Sequence, residues 1–326
     1  MPVLRINATP CGLALHDKPR DIFNPLQALA KGNGPAVIML HGYKYAPKIP
    51  GHSPHTKIFG DGPDGWPGRL GFGTGNPCEG LAIPFAWYAR GPLHKVYRRA
   101  TELGEALSVL IAMLKAHVPH RPVHILAHSL GAQTALSALQ HLPANAVDRM
   151  VLLTGAAFQS HAETMLATPA GATTEVFNIT SRENDIFDLA FEQLVAAPAA
   201  GDLAIGKGIA ATRARTIQLD CPATLNGLGR MGISIAQPQS RICHWSAYTR
   251  PGVMAFYNAL LRTPGDFPLT AFDALLPAVQ TPRWSRLVRK PAGWVALCAQ
   301  LKLALRIEHR SAHKASLQDK VREHVC

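Results

Sequence analysis

The residues between positions 122 and 133 read Pro-Val-His-Ile-Leu-Ala-His-Ser-Leu-Gly-Ala-Gln. A short apolar run at 123–127 leads to a serine between small residues, and an apolar segment with helical spacing follows at 130–142. This junction predicts a sharp turn from strand to helix, which needs small residues two positions before and after Ser129. The turn would put Ser129 at a helix N-terminus, whose backbone N–H groups favour negative charge.

Short apolar runs and helical segments alternate on both sides of this turn. The apolar runs predict strands at 36–40, 81–88, 123–127, 150–153, 176–179 and 216–219, and helical spacing predicts helices at 100–118, 130–142, 186–195 and 253–261. Strands that alternate with helices form a mostly parallel, doubly wound α/β sheet covered on both faces. Functional residues on such a sheet collect beyond the carboxyl ends of the strands.

Composition limits the class of protein. Hydrophobic residues make up 47% and charged residues 17% of the chain, which excludes intrinsic disorder and fibrous folds. Six scattered cysteines fit neither a disulfide scaffold nor a paired zinc motif. Residues 1–20 lack the apolar core of a signal peptide, and no apolar run reaches the length of a membrane span. We therefore expect a reduced, cytoplasmic protein.

Residues 127–131, Ala-His-Ser-Leu-Gly, resemble the G-x-S-x-G nucleophile elbow of the α/β-hydrolase superfamily, with alanine in place of the first glycine. The elbow places its serine as the nucleophile, and the N–H of the following residue helps to bind the oxyanion. The resemblance covers about residues 35–262. It implies an α/β-hydrolase fold in which Ser129 is the nucleophile and Leu130 donates one oxyanion-hole N–H.

A second resemblance lies at the end of the first predicted strand, where His41-Gly42-Tyr43 follows residues 36–40. In the same superfamily a strand that ends in His-Gly supplies the other oxyanion-hole N–H from the next residue. The resemblance thus assigns that donor to Tyr43. The alternative is an ordinary glycine turn with His41 hydrogen-bonded in the core.

The superfamily orders its triad as serine, acid and histidine along the chain. The predicted strand 176–179 is followed by Thr-Ser-Arg-Glu-Asn-Asp-Ile-Phe-Asp, and Asp185 lies where the family's acid belongs. Asp188 and Glu183 are close competitors. Each of these carboxylates could instead cap or begin a helix.

The base is expected in the loop before the last helix of the domain. His244 lies there, and no other histidine occurs between His161 and His309. The resemblance therefore assigns the base to His244. The alternative is a buried histidine that binds a backbone carbonyl.

These assignments imply a serine hydrolase of esterase or lipase type that cleaves a small-molecule or lipid ester and needs no cofactor. A thioesterase, amidase or acyltransferase would use the same residues. A non-catalytic binding protein on this fold is the alternative of a different class, because a fold does not dictate a function.

Other signals are weaker. His52 and His55 form a lone H-x-x-H in a Gly/Pro-rich loop without further spaced ligands, so we predict no metal site. No G-x-G-x-x-G follows a strand, so no dinucleotide cofactor is expected. The formal net charge is +12, but no recognised nucleic-acid module accompanies it, so no nucleic-acid partner is expected either.

The chain is predicted to comprise an N-terminal segment (1–34), the catalytic domain (35–262) and a basic C-terminal extension (263–326). Residues 282–326 hold ten lysines and arginines against three acids. This tail is expected to pack on the domain, or alternatively to contact an anionic surface. A lid over the site would have to come from the Gly/Pro-rich loop 43–80 or from the loop 220–243.

Overall fold

The computed structural model describes residues 2–16, 22–30, 32–277 and 280–287. The chain divides into two units, Met1–Arg286 and Leu287–Cys326, and all described residues except Leu287 belong to the first. The predictions made for most of the basic tail, including its packing and its contact with an anionic surface, concern residues outside the described ones.

An eight-stranded sheet forms the centre of the described unit. Its strand order is β2-β1-β4-β3-β5-β6-β7-β8. Only β1 and β2 pair antiparallel, and all other neighbours pair in parallel. The strands are β1 (Ile6–Thr9), β2 (Gly12–Leu15), β3 (Ala36–Leu40), β4 (Leu81–Ala86), β5 (Val123–His128), β6 (Arg149–Leu153), β7 (Glu175–Thr180) and β8 (Ala214–Gln218). The predicted mostly parallel α/β sheet is confirmed.

Helices lie between and beyond the strands. They are α1 (Phe23–Ala30), α2 (Pro54–Lys57), α3 (Trp66–Arg69), α4 (Leu93–His117), α5 (Leu130–Ala138), α6 (Gln159–Leu166), α7 (Asp185–Leu194), α8 (Pro222–Arg230), α9 (Ser246–Thr249) and α10 (Val253–Arg262). No helix among the described residues is both long enough and apolar enough to cross a membrane.

Two hydrophobic cores cover the two faces of the sheet. Side chains of a strand point alternately to opposite faces. In β3, Ile38 and Leu40 accordingly join one core, whereas Val37 and Met39 join the other. Both faces of this strand are buried, which explains why its sequence is uninterruptedly apolar.

Three regions differ from the sequence-based expectations. Strands β1 and β2 precede residue 35, so the sheet extends beyond the range predicted for the catalytic domain. Helix α4 begins at Leu93, about two turns earlier than its apolar spacing indicated. The loop 43–80 contains the one-turn helices α2 and α3 and buries Phe59 and Trp66, so much of it is packed against the sheet.

Candidate active site

Ser129 lies on a strained turn between β5 and α5. Its φ and ψ angles are 54° and −124°, in a region that residues with a side chain rarely adopt. The surrounding backbone holds this conformation: the Ser129 N–H donates to Leu153 O at 3.1 Å, and its carbonyl accepts from Ala156 N at 2.9 Å. The predicted sharp turn from strand to helix is therefore present.

Small residues are required here because other backbone segments approach closely. A Cβ atom at Gly131 would lie 2.8 Å from the carbonyl oxygens of Leu40 and His41, inside van der Waals contact. A Cβ atom at Gly42 would lie 2.6 Å from Ser129 Cβ and 3.1 Å from its Oγ. The His-Gly strand end and the serine turn are thus packed directly against each other.

His41 is a structural residue below this contact. It is buried, its Nδ1 donates to Gly42 O at 2.8 Å, and its Nε2 accepts from Trp87 N at 3.0 Å. Burial lowers the pKa of His41 to about 3, so the ring is neutral at physiological pH. This is the alternative role that the sequence left open for His41, and it holds the strand end next to Ser129.

A cavity of about 410 Å³ opens at the carboxyl ends of the strands. The predicted nucleophile, the predicted base and both predicted oxyanion donors line it, namely Ser129, His244, Tyr43 and Leu130. Its other walls are largely apolar and include Leu93, Ala156, Phe187, Phe191, Leu194 and Trp245. No hydrogen bond joins Ser129 Oγ to His244 in the described part of the chain.

His244 is held at its backbone and on its ring face. Its carbonyl accepts from His128 Nε2 at 3.2 Å and from Thr154 Oγ1 at 3.3 Å. Its ring stacks on Phe187 with the ring centroids 4.7 Å apart. Burial lowers the pKa of His244 well below its usual value, and the nearby His128 lowers it further. A neutral imidazole of this kind is able to accept a proton at neutral pH.

The partner of His244 Nδ1 differs from the prediction. Nδ1 donates to Asn184 Oδ1 at 2.6 Å, and Asn184 Nδ2 in turn donates to Asp188 Oδ1 at 2.8 Å. The sequence placed Asp185 beside His244, and the structure places Asn184 there instead. Asp188, a competitor in the sequence, reaches the histidine only through the Asn184 amide.

The two other candidate carboxylates pair elsewhere. Asp185 is fully buried and accepts from Arg182 Nη1 at 3.1 Å and from the backbone N–H of Trp284 at 2.6 Å. Glu183 forms a buried ion pair with Arg250. Asp185 and Glu183 are thus both paired with arginines, and the Asn184 amide faces the His244 imidazole instead.

Sequence reasoning did not identify Asn184, nor the roles of His128 and Thr154. An amide between two carboxylates gives no sign that it is the group that faces the histidine. His128 occupies a variable position of the elbow pattern, and Thr154 directly follows β6 at the edge where site residues collect. That position after a strand was the one available signal for Thr154.

The two histidines of the H-x-x-H pair have separate partners. His52 Nδ1 lies 2.8 Å from Arg90 Nη1, whereas His55 is buried and its Nε2 lies 2.8 Å from Asn7 Oδ1. Within the residues that the structure describes, no group of three histidine, cysteine or acidic side chains could hold a metal ion.

Part of the chain matches the model of a known protein family. Residues 74–184, about a third of the chain, match the model of a family described as "Alpha/beta hydrolase of unknown function (DUF900)". This range runs from before β4 to just after β7 and contains both Ser129 and Asn184. Among curated proteins, none matches the chain. Over this range the chain is similar to an α/β-hydrolase family, and the mostly parallel sheet flanked by helices is consistent with that fold; the similarity favours a hydrolase activity.

Proposed function

We propose that the protein is a serine hydrolase that cleaves a carboxylic ester through an acyl-enzyme. The observation that carries this proposal is the strained Ser129 in one cavity with a neutral, half-buried His244 whose Nδ1 is already bound. With Nδ1 engaged by Asn184, the Nε2 atom is the nitrogen left to serve as the base. An apolar cavity suits the acyl or alkyl part of an ester.

In the proposed reaction, Ser129 Oγ attacks the acyl carbon while His244 Nε2 takes its proton. His244 then returns the proton to the departing alkoxide, and water hydrolyses the acyl-enzyme by the same steps. The backbone N–H groups of Tyr43 and Leu130 hold the oxyanion. Each such donor is worth roughly 3 kcal/mol of barrier.

Formation of a hydrogen bond between Ser129 Oγ and His244 Nε2 belongs to the proposal. Hydrogen bonds of catalytic groups are often long before substrate binds and tighten in the transition state. The His244 carbonyl is anchored by His128 and Thr154, which keeps the loop that carries the ring beside Ser129.

The test is covalent capture with a fluorophosphonate probe, read by intact mass and peptide mapping. Wild-type protein is expected to take up one label on Ser129, and Ser129→Ala and His244→Ala are expected to take up none. Ser246→Ala is the matched control, since it removes a buried hydroxyl two residues from His244 and should leave labelling intact.

Folded wild-type protein that stays unlabelled would contradict the proposal and favour a non-catalytic binding protein. If labelling occurs, a series of p-nitrophenyl esters from acetyl to octanoyl, with matched thioesters and anilides, separates esterase from thioesterase and amidase activity.

A further inference from the structure

A chain of two hydrogen bonds leads from the imidazole into the protein. His244 Nδ1 donates to Asn184 Oδ1, and Asn184 Nδ2 donates to Asp188 Oδ1. Asn184 and Asp188 are only 2% and 5% exposed, and both also line the cavity. The amide therefore links the histidine to a buried carboxylate.

The carboxylate determines which way the amide faces. An ionised carboxylate only accepts hydrogen bonds, so Asp188 binds the NH₂ end of Asn184. The oxygen end then faces His244 and accepts only from a protonated Nδ1. Because a neutral imidazole carries a single ring proton, Nε2 is left with its lone pair. This is the tautomer that a base for Ser129 requires.

We propose that Asp188 is a positioning residue that acts through Asn184: it selects the tautomer of His244 and offsets the charge of the imidazolium across one amide. This inference rests on the proposed hydrolase function. In this arrangement the triad acid, Asp188, does not contact His244 directly, because the Asn184 amide lies between them.

The other acids near this turn are engaged with arginines. Asp185 pairs with Arg182, and Glu192 pairs with Arg283 at 3.0 Å. None of the ion pairs in the described ranges includes Asp188. A Cβ atom at Gly206 would lie 2.0 Å from Asp188 Oδ2, so the second carboxylate oxygen packs against the backbone of Gly206. The carboxylate is thus built into a site whose free hydrogen-bonding side faces Asn184.

Charged groups around Asp188 act in both directions. Arg283 and Arg182 favour its ionised form, whereas Asp185 and Glu192 oppose it. Burial is the largest influence, and the pKa of Asp188 rises to about 7. Asp188 thus gains its charge as the pH rises through about 7, whereas the pKa of His244 lies well below its usual value. The two groups should therefore give separate limbs in a pH profile.

The first experiment replaces Asp188 by asparagine and follows the rate of fluorophosphonate labelling between pH 5 and pH 9. An asparagine at position 188 has the same shape but can present either its oxygen or its NH₂ group to Asn184. The Asn184 amide can then turn over and face His244 with its NH₂ group, which favours the tautomer protonated at Nε2. We expect labelling at pH 8 to slow about 10- to 100-fold, the usual effect of losing a residue that orients another site group. The limb near pH 7 should disappear.

Glu192→Gln is the matched control, because it removes a carboxylate from the same helix α7 without touching Asn184. Its labelling rate at pH 8 should equal that of the wild type. Its pH limb should move slightly downward, because Glu192 raises the pKa of Asp188. A wild-type rate and an unchanged pH profile in Asp188→Asn would overturn the inference.

A rescue separates positioning from a structural role. The double variant Asn184→Asp with Asp188→Asn moves the carboxylate into direct contact with His244 Nδ1 and keeps an amide behind it. We expect the double variant to label at least tenfold faster than Asp188→Asn alone. Equal rates in the two variants would mean that Asp188 only supports the fold, and would overturn the inference.

NMR of the His244 imidazole tests the role of Asp188 without relying on hydrolase activity. With ¹⁵N-histidine, wild-type His244 should show protonated Nδ1 and unprotonated Nε2 at pH 8, and Asp188→Asn should show a mixture of tautomers. If the wild type takes up no probe, the hydrolase proposal fails while this readout still reports the coupling. An unchanged tautomer in Asp188→Asn would overturn the inference whatever the labelling result.

Discussion

The turn after β5 and the turn after β7 lie at the same edge of the sheet and supply the same cavity, but different forces hold them. The turn at Ser129 is fixed by space: its neighbours come so close that a Cβ atom fits neither at Gly131 nor at Gly42. The turn at 181–188 instead buries a cluster of polar and charged side chains. It is fixed by which acid pairs with which donor, as Asp185 does with Arg182.

This difference separates two kinds of information in the chain. A steric requirement restricts residue type at each position, so the serine turn has a recognisable pattern. Pairing among buried polar groups leaves no such pattern, because Glu183, Asp185 and Asp188 all have a carboxylate and the sequence does not show which of them faces His244. The second turn therefore depends on distant partners such as Arg250 and Trp284.

The largest expected effect on the comparison of the two turns is the loss of activity when Asn184, the residue that faces His244, is replaced. Asn184→Ala removes the acceptor of Nδ1–H, and we expect kcat/KM to fall about 10²- to 10⁴-fold, since a wrong or mobile tautomer is costly in serine hydrolases. Asp185→Asn is the matched control at the next position, and kcat/KM should stay close to the wild-type value. Ester hydrolysis by the folded variants provides the measurement. The reverse ranking would restore Asp185 as the acid predicted from the sequence.

A smaller effect concerns the space at the serine turn. Gly131→Ala puts a Cβ atom 2.8 Å from two carbonyl oxygens, and we expect a loss of about 1–3 kcal/mol in the free energy of unfolding, as overpacked sites show. Gly229→Ala in α8 meets no atom within 4 Å and should raise stability by up to about 1 kcal/mol. Urea denaturation measures both. Equal stability of the two variants would show that the serine turn has room to spare.

The effect that is smallest per step, about 1 kcal/mol for each pH unit, concerns the charge in the second turn. The pKa of Asp188 is about 7 in the folded protein, against 3.8 ordinarily, so its favourable contribution is complete below about pH 4 and is lost as the pH rises to 7. Asp188→Asn cannot ionise, so its stability relative to the wild type should grow by roughly 1 kcal/mol per pH unit in that window. Urea denaturation from pH 4 to pH 8 checks this. A difference that does not vary with pH would mean that Asp188 ionises normally.

Much of the fold follows from local patterns in the sequence. Strand β3 coincides with the predicted residues 36–40, and α10 ends one residue beyond its prediction. These elements are apolar, regularly spaced and bounded by glycine or proline. Strands β1 and β2 were missed because they are short and lie at the edge of the sheet, where half-exposed residues weaken the pattern.

The candidate site was predictable only in part. Ser129, Tyr43, Leu130 and His244 were assigned from the resemblance to the α/β-hydrolase superfamily at strand ends and in chain order, and the structure brings them to one cavity. The partner of His244 was not predictable. Whether Asp185 or Asn184 faces His244 depends on Trp284, about a hundred residues later in the chain, whose backbone N–H donates to Asp185.

The contacts around Ser129 also bear on how the protein folds. Its backbone N–H is bound by β6, and the glycine after it rests on the end of β3, about ninety residues earlier in the chain. Contacts between distant parts of a chain form late, because loop closure must come first. A partly folded chain thus has the serine but lacks its strained geometry. If Ser129 is the nucleophile proposed above, its reactivity is expected only once the sheet is assembled, and it would report when the last central strands have come together.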